Sequence, residues 1–120
     1  MKISNTMCVQ DIIEQFNDEF NFLKIEFYKK HHHDSEGSPL ESQLLHSTLL
    51  KELNSDIRNE EIVLFLDMTV SEFEQMMFNR FKFNIQVFRK SDNLWLQTSS
   101  TDQWTLEKQN GKGQRSITSS

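Results

Sequence analysis

Met68–Thr98, MTVSEFEQMMFNRFKFNIQVFRKSDNLWLQT, carries a helix signal, a change of period and a turn within one run. Thr69 followed three residues later by Glu72 has the form of a capping box, in which two free amides at a helix start find partners. Val70, Phe73, Met77 and Phe81 then recur at spacings of three and four, which predicts a helix over 69–81 with one apolar face. After Lys82 the period becomes two. Phe83, Ile85 and Val87 fall on one side of a strand, and Asn84, Gln86 and Phe88 on the other. Ser91-Asp92-Asn93 is a polar turn, and Leu94–Thr98 resumes an extended pattern, so the end of the stretch reads as a β-hairpin.

Sliding the chain along itself by 61 positions sets Met7–Phe22 against Met68–Phe83. Val9, Ile12, Phe16 and Phe20 fall on Val70, Phe73, Met77 and Phe81, predicting a first helix over 9–20. With one residue skipped, the strand IEFYKK then falls on IQVFRK. In Phe22–Lys30, Leu23, Ile25 and Phe27 face one way. The stretch Met1–Ser4 precedes the first helix much as Glu61–Leu66 precedes the second. The expected fold is α+β: two β-α-β units, 1–30 and 61–98, joined by a connection over 31–60. They would form a mixed sheet of about four or five strands with helices on one face, in ferredoxin-like or β-grasp-like order.

The length of 120 residues suits one domain, placed at 1–111, with 112–120 expected to be a disordered tail. No apolar run approaches a membrane span, one cysteine cannot form an internal disulfide, and the N-terminus lacks the apolar core of a secretory signal. A cytoplasmic location is the expectation. The net charge of −5 divides into −7 over residues 1–67 and +2 over 68–120, a polarity that suits an oppositely charged partner or head-to-tail self-association.

The connection opens with Lys29-Lys30-His31-His32-His33-Asp34. Consecutive residues on an extended chain point to alternate sides and no second cluster supplies further ligands, so no metal site is expected. Cys8 stands at a helix start, where a thiol can be activated. It needs a base that only the histidine run could supply, and a small residue tolerated at a cap is the simpler reading. Gly37 and Pro39 break the first strand. A helix from Pro39 and a shorter one after Ser47 both remain open, with Leu44, Leu45, Leu49 and Leu53 as the apolar positions. Glu61–Leu66 is a nearly continuous apolar run, as expected of a central strand covered on both faces. Beyond the hairpin, Trp104 and Leu106 are anchors and Gly111 a stop.

QVFRKSDNLWLQT followed by TDQWTLEKQNGKG resembles the C-terminal signature of a family of small uncharacterised bacterial proteins, in which a helix opening like TVSEFEQ comes first. The likeness covers Met68–Gly111 most specifically. It implies a bacterial, single-domain α+β protein and carries over no activity, cofactor or functional residue.

The three glycines form no phosphate loop, Glu60-Glu61 reads as a solvated pair, and no nucleophile elbow is present. Neither catalytic residues nor a cofactor are expected. Aromatics off the core register are more informative. Tyr28, Phe88 and Trp95 should share the outer sheet face, with Arg89, Lys90 and Lys24 nearby and Trp104 as a further candidate, or as part of a flap that covers the face. Buried aromatics beside an arginine are common interface anchors, and the expected function is a non-enzymatic protein-interaction module, binding another protein or itself. Weak single-stranded nucleic-acid binding through the same aromatics is the alternative, disfavoured by the negative charge. A small enzyme or accessory subunit without a recognisable motif is the second. No membrane contact is expected.

Overall fold

Two amphipathic helices and the strands that follow them carry the core in the computed structural model, which describes residues 1–30 and 36–118. The elements are β1 (Lys2–Ile3), α1 (Val9–Glu19), β2 (Leu23–Tyr28), α2 (Leu50–Leu53), β3 (Glu60–Glu61), α3 (Val70–Phe81), β4 (Asn84–Ser91), β5 (Leu94–Gln97) and α4 (Leu106–Thr118). The fold is α+β, with its strands in two antiparallel ladders, β1-β3 and β2-β4-β5, and helices packed on the larger sheet.

The α3 box closes as its sequence demands. Thr69 Oγ1 accepts from the Glu72 amide at 3.1 Å, and Glu72 Oε1 accepts from the Thr69 amide at 3.3 Å. In α1 Asp11 takes the acid's part, accepting from the Cys8 amide at 2.9 Å. Lys82 ends α3 in the left-handed conformation, φ 63°, and its amide closes on Met77 and Phe78 carbonyls, which turns the chain straight into β4. The apolar faces of α1 and α3 meet between Phe16 and Phe73, ring centroids 5.0 Å apart. Below them Leu23, Ile25, Phe27, Phe83, Ile85 and Val87 form the buried inner face of the sheet, with Phe27 edge-on to Phe83 at 5.3 Å.

The β2-β4 ladder pairs Ile25 with Val87, Glu26 with Gln86 and Phe27 with Ile85, so the strand residues matched once one position is skipped meet across a centre at Glu26 and Gln86. The helix starts show the same correspondence. Val9 donates to the Thr48 carbonyl and Leu50 to Met7. In the second half Val70 donates to Trp104 and Leu106 to Met68.

Two expectations need correction. The apolar run 61–66 is not a central strand: only Ile62 and Leu64 reach the core, and the chain then turns to serve helix starts, Phe65 accepting from the Met68 amide and Leu66 from the Glu107 amide. Val63, Phe65 and Leu66 are left exposed. Residues 112–118 are not a disordered tail, because α4 continues through Thr118. Its side chains bind the sheet, Asn110 Oδ1 accepting from the Phe22 amide at 2.9 Å and the Ser116 hydroxyl donating to the Lys90 carbonyl at 3.2 Å. Leu94 and Leu96 keep the inner register but lie largely exposed, since β5 is the edge strand. Of the two open readings the connection takes the shorter helix: after Pro39 there is only a 3₁₀ turn at Leu40–Ser42, Gln43 is extended beside Tyr28, and α2 begins after Ser47. His31, His32 and His33 lie outside the described residues.

Candidate functional site

Strand alternation sorts the candidate residues. Lys24, Glu26 and Tyr28 on β2 stand opposite Phe88, Gln86 and Asn84 on β4, and Lys90 stands opposite Trp95 on β5. All of these point to the outer face, away from the helices. Arg89 does not. It pairs with buried Leu23 and with Leu96 in the inner register, where its guanidinium donates to Gln109 Oε1 at 2.7 Å and lies 5.6 Å from the Trp104 ring. Its pKa is lowered by burial. Trp104 is on that helix side too, under Lys108 Nζ at 4.2 Å, so neither residue belongs to the outer surface and Trp104 is not its flap.

The cover comes from the connection. The Ser38 amide donates to Gln97 Oε1 at 3.0 Å, Gln97 Nε2 donates back to the Ser38 carbonyl at 2.8 Å, and the Ser38 hydroxyl donates to Gln86 Oε1 at 3.2 Å. Further along, Lys29 donates to Ser42 and Leu44 to Phe27, which lays 42–44 beside the end of β2 as an extra short strand. Gln86 and Tyr28 are sealed beneath this segment.

Tyr28, the only tyrosine, is 2% exposed, and burial together with the Glu26 carboxylate pushes its phenol up to about 12. Below the ordinary pKa of about 10 the phenol is neutral in both folded and unfolded chains; above it only the unfolded chain ionises. Stability is therefore lost as pH rises from 10 towards 12, by on the order of 2 kcal/mol. Ultraviolet titration should show tyrosinate forming near pH 12, together with base unfolding. An inflection near pH 10 with native circular dichroism would show that the connection does not seal the ring.

The other end of the outer face is open. Phe88 and Trp95 are half-buried. Lys24 Nζ stands 5.0 Å from the Phe88 centroid and 5.5 Å from Trp95, while Lys90 Nζ approaches the same indole at 4.9 Å. Two ammonium groups thus flank one indole. Beside it, a cleft of about 360 Å³ runs between the outer face and the flank of α1, which supplies Gln10, Glu14, Asn17 and Asp18. On its floor the buried Glu26 carboxylate meets His46 Nε2 at 2.7 Å and Lys24 Nζ at 3.4 Å.

Glu26 and His46 are the site residues that sequence reasoning missed. Alternation places Glu26 on the outer face, but a pairing across 20 residues of irregular connection leaves no local signal. Among the described residues the cleft lining offers carboxylates, amides, an imidazole and an ammonium, and no hydroxyl or thiol to serve as a nucleophile. Cys8 is free and partly buried at the start of α1, bridged through its backbone to Leu49. Among the described residues no group of three or more histidine, cysteine or acidic side chains is placed to hold a metal. Among them, too, no helix is long and apolar enough to cross a membrane. The chain matches no protein-family model, no curated protein and no solved structure.

Proposed function

We propose that the chain is a non-enzymatic protein-interaction module, formed by duplication of a β-α-β unit, whose contact surface is the open end of the outer sheet face: Phe88, Lys90 and Trp95 with Lys24. The observation that carries this is the contrast across one face. The connection seals Tyr28 and Gln86, while Trp95 stands over the strands between two lysines with part of its surface in water. A half-buried indole ringed by flexible cations is a ready interface anchor, presenting a large apolar area at low entropic cost. Single-stranded nucleic acid would use the same rings. Against it stands the net charge of −5, which opposes a phosphate backbone.

A photo-crosslinking phenylalanine analogue at Phe88, in cells that express the protein naturally, should give one discrete protein adduct that is lost when Trp95→Ser is added. No adduct, or one indifferent to Trp95, would overturn the proposal. So would an oligonucleotide that quenches Trp95 at low salt and dissociates steeply as salt rises, in favour of the nucleic-acid reading.

A further inference from the structure

The segment after β3 exposes three large apolar side chains in a row of four: Val63 is 68% exposed, Phe65 60% and Leu66 55%. The other half of the chain shows that packing does not require them. The same slide that matches the helices sets Lys2, Ser4 and Asn5 against Val63, Phe65 and Leu66, with Ile3 against Leu64. Ile3 and Leu64 are both buried, and Met1 and Ile62 exchange backbone hydrogen bonds at 2.8 and 2.9 Å, so the two segments do the same structural work. In the first, polar residues occupy the outward positions. In the second, an apolar tip of this size in water marks a contact surface.

Charge decides what the tip contacts. Glu60, Glu61, Asp67 and Glu72 lie exposed between Arg58 and Arg80 with no base among them, and Glu107 adjoins through its amide on the Leu66 carbonyl. Arg80 pairs with Glu60. This acidic collar opposes an anionic lipid surface, and it opposes a twofold pairing of tip with tip. It suits an aromatic surface rimmed by ammonium groups. The chain carries one, Trp95 and Phe88 between Lys24 and Lys90, on the outer face of the sheet. The tip is tied instead to the starts of α3 and α4, which pack on the inner side. We propose that the Val63-Phe65-Leu66 tip of one copy docks on the Trp95 surface of a second copy, a head-to-tail contact. It rests on the reading of the Trp95 surface as an interface and names its partner. Such a contact is heterologous, so it propagates into chains or closes into a ring.

The test borrows residues from the first half. Sedimentation velocity across a concentration series should show the wild type associating, while a tip variant (Val63→Lys, Phe65→Ser, Leu66→Asn) and Trp95→Ser each stay monomeric, their apparent dissociation constants raised at least tenfold. An equimolar mixture of the two variants should give a dimer that stops there. Each retains one good surface, and the mixture can form one junction only. Unchanged thermal melting would show that both variants fold. Association that survives in the tip variant, or is lost in both variants and not restored by mixing, overturns the head-to-tail contact. A wild type that is monomeric throughout also overturns it. In that case a Trp95-dependent crosslink to a different protein leaves the surface reading standing, and its absence removes both.

Discussion

Phe73→Ala should lower the stability of the folded chain by about 3–5 kcal/mol, with Phe16→Ala costing as much. Both rings are fully buried, one on α3 and one on α1, and their centroids lie 5.0 Å apart with planes inclined at 43°. Each truncation removes apolar transfer energy and leaves a cavity between two helices, each of which is fixed by its own strand. Neither helix can close the gap without dragging β2 or β4 with it. Because a small domain holds a total of roughly 5–15 kcal/mol, either variant should be close to unfolding at physiological temperature. The double variant should cost less than the two singles combined, since each cavity already forfeits the contact with the other ring. Urea denaturation of the three variants measures this. A single loss well under 1 kcal/mol would show that the α1–α3 contact is not the centre of the core.

That contact was readable because its signals are local and repeated. Val9, Ile12, Phe16 and Phe20, and their counterparts Val70, Phe73, Met77 and Phe81, obey the helical period without a break, and all eight are buried. Alternation likewise assigned Phe88 and Trp95 to one face and Ile85 and Val87 to the other, as the ladder pairings show. Where apolar residues did not alternate, reading failed. The run 61–66 admits either face as buried, and the structure uses only Ile62 and Leu64 because the following backbone is needed by α3 and α4. Arg89 was grouped with Phe88 and Lys90 by adjacency, although the period of two sends it through the sheet to Gln109. The cover over Tyr28 and the Glu26–His46 pair depend on where an irregular connection lies, which composition does not encode.

The failure at α4 has a physical test. Gly111 and Gly113 read as a helix stop and the start of a tail, yet both lie within the helix, neither with positive φ. In an ordinary helix interior glycine costs about 1 kcal/mol relative to alanine, so both positions should improve on substitution. The surroundings separate them. A Cβ at Gly111 would meet only the guanidinium end of Arg115 at 3.2 Å, a flexible group that swings aside. At Gly113 it would lie 2.9 Å from the Phe22 carbonyl oxygen and 3.0 Å from Phe22 Cβ, on the segment that leads into β2. That backbone cannot retreat, because the Phe22 amide donates to Asn110 and its carbonyl accepts from Lys90 at 2.9 Å. Gly111→Ala should therefore stabilise by about 0.5–1 kcal/mol, whereas Gly113→Val should destabilise by roughly 2–3 kcal/mol, in the upper part of the range for overpacking. Thermal unfolding read through the Trp104 fluorescence, with Trp95→Phe in the background, reports on the junction that α4 makes with the sheet. If both substitutions stabilise, glycine at 113 is not there to let the helix approach the strand.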